Sequence, residues 1–226
     1  MSRRTSWVGP ASGIVAAGLF VASGALGGWQ ILAVGDGLRP ESPAADLTAM
    51  LAEHAETLRT GAHLGLLSAL LFLVFVAYLR RHLDAHEPAG GWWSLVAFGG
   101  GIVYVGVMIL QSSLALAARV VGREGLDVDI ARSLMAMQWS NLDLIAPALA
   151  AVVLGASVVS VRTGALPRAL GWIGLGVTGL LVAYLAVPFD TPLWMSVGLA
   201  WLWVLAAAVA LLVASLRAPA SASPVA

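Results

Sequence analysis

TGAHLGLLSALLFLVFVAYL, residues 60–79, holds no Asp, Glu, Lys or Arg over its whole length. An α-helix rises about 1.5 Å per residue, so about 20 apolar residues cross a hydrocarbon layer about 30 Å thick. The stretch is therefore read as a membrane span. Five more runs of the same kind lie on either side of it, at about 11–34, 92–118, 139–161, 169–187 and 193–215. Residues 216–226 read as a flexible cytoplasmic tail. The expected fold is all-α, a single membrane domain of 226 residues built as a bundle of six transmembrane helices.

Composition agrees. The chain is 60% hydrophobic and 11% charged, with a mean hydropathy of +0.91, outside the usage of water-soluble domains. Its formal net charge is zero, which gives no reason to expect nucleic acid as a partner. All basic residues are Arg, and the lack of Lys in a chain rich in Ala, Gly, Val and Leu suggests a G- and C-rich bacterial genome. Cys is also absent, which removes disulfides, thiolate metal sites and cysteine nucleophiles together.

The Arg residues suggest an orientation. With the N-terminus inside, Arg3, Arg4, Arg80, Arg81, Arg162, Arg168 and Arg217 fall on the cytoplasmic side, close to span ends. Arg39, Arg59, Arg119, Arg123 and Arg132 fall outside. This is the positive-inside pattern, and it puts both termini in the cytoplasm of a plasma-membrane protein. Trp7, Trp92, Trp93 and Trp172 mark inner span ends, and Trp29, Trp139 and Trp194 outer ones, as an aromatic belt does. Trp201 and Trp203 lie deeper and read as packing or lipid-facing. Arg3 and Arg4 ahead of Ile14–Val21 also resemble a cleavable signal, but the apolar run continues to Val34 and is read as an uncleaved span.

The first outer loop carries its own pattern. From Pro43, the residues Leu47, Met50, Leu51, His54 and Leu58 recur at helical spacing, with Ser42 placed as a cap. An amphipathic interfacial helix running into the second span is expected, either as a surface linker or as a lid. Small residues predict helix contacts: Gly24 and Gly28 in the first span, and Gly171, Gly174 and Thr178 in the fifth. The triplet Gly99–Gly101 is a place where the third span is able to loosen.

Chemical motifs are scarce. His63 is the one intramembrane His, so bis-histidine haem has no second axial ligand. His82, Asp84, His86 and Glu87 sit close enough to suggest a metal, but a juxtamembrane polar turn is the plainer reading. Ser157 has no downstream His for a membrane serine protease. No catalytic, metal or cofactor set is expected, and enzymatic activity is not.

What remains is a layer of polar residues at similar depth, comprising Gln30, His63, Gln111, Asn141 and Asp143. Polar groups in hydrocarbon are expensive unless they face one another or water, so the layer is either helix glue or a ligand or proton site. Glu56 and Arg59 join His63 on one side of the second span's entry, as an entry or pairing group. Asp143 is the strongest single candidate. Pro147 follows it at i+4 and has no N–H, so a kink would leave the Asp143 carbonyl beside its carboxylate. Expected partners for Asp143 are His63, Arg59 or Arg119.

The linker GALPRALGWIG, residues 164–174, resembles the pattern before the fifth span of a bacterial six-span family, domain of unknown function 4386. The acidic, partly helical first outer loop is similar as well. The resemblance implies a six-span layout and no particular activity. Two function classes stand beside each other. One is a membrane protein acting by binding or interaction, as a subunit or sensor, with the bilayer and a membrane protein partner or a second copy of itself as partners. The other is a small-solute or proton-coupled transporter using the outer polar layer.

Overall fold

The backbone of a span must satisfy its hydrogen bonds within itself, because hydrocarbon offers none. In a computed structural model the described spans do this as α-helices. The structure describes residues 7–27, 43, 49, 51–124, 128–186 and 193–217. Seven helices of more than one turn follow along them: α1 (Val8–Gly27), α2 (Ala55–Asp84), α3 (Trp93–Glu124), α4 (Val128–Leu142), α5 (Ile145–Thr163), α6 (Arg168–Ala186) and α7 (Leu193–Arg217). Six of them, all but α4, are long and apolar enough to cross a membrane, and no strand occurs among the described residues. The protein is an all-α, multi-pass membrane bundle.

α2 shows how sequence sets the packing. Ala55, Leu58, Ala62, Gly65, Ala69, Phe72, Val76, Leu79 and Leu83 are all buried, and they recur at alternating steps of three and four. That is an average period of 3.5, the seam of helices packed side by side with a left-handed crossing. α1 and α3 flank this seam. Ser68 Oγ donates to the Ala16 carbonyl of α1 at 2.8 Å, and Ser23 Oγ of α1 donates to the Gly61 carbonyl at 2.8 Å.

α5 is the hub. It is the most buried of the six spans, with Leu149, Val152, Val153 and Ala156 wholly enclosed. Close approach to α3 requires glycine on both sides. A Cβ on Gly100 would meet the Ala148 carbonyl oxygen at 2.7 Å, and one on Gly155 would meet the Ala97 amide nitrogen at 2.7 Å. The Gly99–Gly101 triplet is thus no loosened segment. α3 runs through it unbroken, with Gly100 against α5 and Gly101 against Val76 of α2. Trp201 and Trp203 of α7 are both buried, which makes them packing residues.

Two features differ from the sequence reading. The run at 139–161 is not one helix. α4 stops at Leu142, a turn spans Asp143 and Leu144, and α5 starts at Ile145. Pro147 then sits in the first turn of α5, where its missing N–H would have no helical acceptor in any case, so the expected kink becomes a clean break. The first outer loop is helical at 49 and 51–53, as the amphipathic pattern predicts, and differs in what covers its apolar side. It turns at His54, and Leu51 is buried with Leu58, Ala118 and Val121, with Leu134 of α4 alongside. The apolar side of that segment is covered by α3 and α4. Ser42, Leu47 and Met50 lie outside the described residues.

The 164–174 linker is explained by its caps. Gly164 takes a left-handed conformation (φ 76°), and its N–H returns to the Ser160 carbonyl at 2.8 Å, which ends α5. Pro167 precedes the first residue of α6, and its carbonyl accepts the Gly171 N–H. His82 Nε2–H of α2 donates to the Ala165 carbonyl at 2.8 Å and pins the linker from the side.

Gly155→Ala should lower the melting temperature of the detergent-solubilised protein, by an amount equivalent to about 1–3 kcal/mol of overpacking. Gly176→Ala points a methyl into open space and should be neutral or raise it, by up to about 1 kcal/mol. Equal melting of the two variants would remove the α3–α5 contact from its central place.

Candidate functional site

The polar residues gather at helix ends, in separate groups. At the end of the bundle bearing Glu56, α2 and α3 are about 45 and 48 Å long, so both outrun a hydrocarbon core of about 30 Å. There Arg119 Nη2 of α3 donates to Glu56 Oε1 at 2.9 Å, and Arg59 Nη1 donates to Glu56 Oε2 at 3.3 Å. The Glu56 side chain is 64% exposed and that of Arg119 20%, so the bridge fastens α2 to α3 with modest strength. The sequence spacing groups Glu56 with Arg59. The partner on α3, 63 residues away, has no local signal.

Gln111 and Asn141 do come together. Asn141, 4% exposed, donates through Nδ2 to the Gln111 side-chain oxygen at 2.9 Å and to the Val107 carbonyl at 3.2 Å. A backbone carbonyl only accepts, so the amide is fixed with its nitrogen toward α3. Its Oδ1 is buried with no hydrogen-bond partner among the described residues. This pair ties the end of α4 to α3.

The other members of the expected layer do not join them. Gln30 lies outside the described residues. His63 is exposed, and its Nδ1–H donates to the Arg59 carbonyl one turn back on its own helix, at 2.8 Å. Asp143 is exposed in the turn after α4, and its Oδ1 accepts from the Tyr184 hydroxyl of α6 at 3.3 Å. None of the expected cationic partners is the one the structure gives it. The break at Leu142 carries Asp143 out of the spanning helix to the bundle's surface, and this is why it does not face inward.

At the opposite end Glu87 caps α3. Its two carboxylate oxygens accept the Trp93 and Ser94 amides at 2.8 and 3.1 Å, where a helix N-terminus has N–H groups to spare. Burial pushes the Glu87 carboxyl up, but the bonds from Ser94 and Trp93, with the Arg162 charge, outweigh it and hold the group below its ordinary 4.5. His86 Nδ1–H donates to the His82 carbonyl, so each residue of the former metal candidate set that is bonded here serves backbone groups. Among the described residues no cluster of three or more His, Asp or Glu is placed to hold a metal.

One concavity of the bundle is apolar. A groove of about 800 Å³ runs between α1 and α7, walled by Gly18, Val21, Gly198 and Leu202 and floored by Phe20 and Trp201. Phe20 stacks on Trp201 with ring centroids 4.6 Å apart. Behind them Phe72 meets Trp201 at 5.2 Å and Tyr104 at 4.9 Å. A Cβ on Gly18 or on Gly198 would meet nothing within 4 Å. Sequence reasoning read Trp201 as a packing or lipid-facing residue; the groove beside it depends on the angle between α1 and α7, which no local pattern encodes.

No family model matches the chain, and no curated protein or solved structure matches it either.

The depressed Glu87 carboxyl has a pH signature. A group held below its unfolded value contributes stability above that value and loses it as pH falls through the lower folded one. Glu87→Gln should cost about 1 kcal/mol, the ordinary worth of a helix cap, from about pH 7 to about pH 5. The gap between the melting temperatures of wild type and variant should close below 4.5. A gap that is constant down to acid pH would show that the carboxylate's charge plays no part.

Proposed function

We propose that this chain acts in the plasma membrane by binding, as a subunit or sensor, and without catalysis. The observation that supports the reading is the α1–α7 groove, an apolar cleft of about 800 Å³ between two spans, within the size range of small-ligand sites. Helix interiors disfavour glycine by about 1 kcal/mol relative to alanine, and a Cβ at Gly18 or Gly198 would meet nothing within 4 Å among the described residues. Their small size instead keeps the cleft open from both walls. The transport reading loses support, because His63 and Asp143 are exposed and bonded away from the Gln111–Asn141 pair. The resemblance to the six-span bacterial family belongs to the same proposal and adds no activity to it.

Leucine at both Gly18 and Gly198 should fill the cleft. Native mass spectrometry of the protein extracted gently from membranes should find an apolar species retained by wild type and absent from the double variant, with melting no lower. Identical spectra for the two would defeat the groove as the seat of function.

The proposal includes both termini in the cytoplasm. The chain has no native Cys, so Cys placed at the exposed Ala89 should resist an impermeant thiol reagent in intact cells, while Cys at the exposed Ser133 should react. Labelling with the two positions interchanged would reverse the orientation.

A further inference from the structure

The floor of the groove has a hydrogen-bond imbalance. Trp201 is 4% exposed and Tyr104 1%, with ring centroids 5.8 Å apart, and among the described residues the indole N–H and the phenol hydroxyl have no hydrogen-bond partner beyond each other. Indole is a donor only, whereas a phenol both donates and accepts. If the indole donates to the phenol oxygen, the phenol's own hydrogen is left without an acceptor. Between them the two groups bring two donors and one acceptor, so one donor stays unmatched in every arrangement. Hydrocarbon supplies no water to take it. The neighbouring Trp203 shows the ordinary outcome for a buried indole here, donating to the Leu170 carbonyl at 2.9 Å.

Depth limits what can supply the missing acceptor. Trp201 is eight residues beyond Leu193, the first residue of α7, and so about 12 Å along the helix from its start. The ester carbonyls of phospholipids lie at the headgroup edge of the bilayer. A ring ketone dissolved in the hydrocarbon reaches that depth without dragging a polar headgroup after it. Resting on the groove-binding reading above, we propose that the α1–α7 groove binds an apolar membrane-dissolved ring ketone of the quinone class. Its carbonyl oxygen accepts the donor that Trp201 and Tyr104 leave unmatched. The ring lies against the Phe20–Trp201 floor, where flat aromatic faces favour a flat conjugated ligand, and its tail follows the cleft between Gly18 and Gly198.

The test uses the full chain in nanodiscs of saturated phosphatidylcholine, with binding of a decyl-substituted benzoquinone measured above its partition into protein-free discs. Decylbenzene, which has the same tail and no carbonyl, is the comparison probe. Wild type should bind the quinone saturably and about tenfold more tightly than decylbenzene, as one hydrogen bond in an apolar site allows. Tyr104→Phe alone keeps the indole donor and should retain most of that preference. Tyr104→Phe with Trp201→Phe removes both donors and should abolish it. Gly198→Leu, which keeps the donors and fills the cleft, should weaken both probes alike. Equal affinity of wild type for the two probes would overturn the inference, as would a preference that survives the double Phe variant. If Gly198→Leu still weakens both probes in that event, the groove-binding reading stands and only the ketone is wrong. A stoichiometric phosphatidylcholine that excludes both probes would also overturn it.

Discussion

Lipid tails are as apolar as the helices they surround, so nothing analogous to water drives these spans together, and their association rests on how closely backbones approach. In this protein the approaches that bring a glycine against backbone all involve α5. Gly100 of α3 lies against the Ala148 carbonyl, Gly155 of α5 against the start of α3, and Gly174 of α6 against Ser157 and the Trp203 indole. A methyl at any of these points collides with backbone or with an enclosed side chain. Once α3, α6 and α7 are seated on α5, the positions of Tyr104, Trp201 and the aromatic group between them follow. Between α1 and α7 close packing holds at Gly13 and Ala208 and gives way to the groove around Gly18 and Gly198.

The acidic groups and His82 follow a second rule, that each finds its partners near a helix end. Glu87 takes the free amides of α3, His82 takes a linker carbonyl, and Glu56 takes two guanidiniums where α2 and α3 outrun the bilayer. Asn141 binds the end of α4 to the flank of α3. The Trp201–Tyr104 pair lies within the span region, with Trp201 about 12 Å along α7 from Leu193. Its chemistry is therefore a property of the bundle's interior and bears on what the groove takes up.

Much of this was legible in the residues. A run such as 60–79 leaves the chain no stable alternative to a spanning helix, because unpaired backbone in hydrocarbon is too costly. The 3.5 period of small and apolar residues in α2 marks its buried seam before any partner is known, and Gly164 and Pro167 mark where α5 ends and α6 begins. The Pro147 signal was visible but ambiguous. A proline is compatible with a kink inside a helix or with the first turn of a new one, and only the packing of α4 against α3 selects the second.

The candidate site was less legible, for a physical reason. Residue type and depth say that Gln111, Asn141, His63 and Asp143 each need a partner, but not which way each helix is turned about its axis. That rotation is chosen by the glycine contacts and the α2 seam, interactions between residues tens of positions apart. It brings Gln111 to Asn141, turns His63 back on its own helix and leaves Asp143 to Tyr184. The sequence by itself determined that six helices are able to cross a membrane and where most of them stop, because those are matters of local hydrophobicity and backbone satisfaction. The tertiary structure alone decided which polar groups meet and where the cleft opens, because both depend on the rotation and angle of helices distant in the chain.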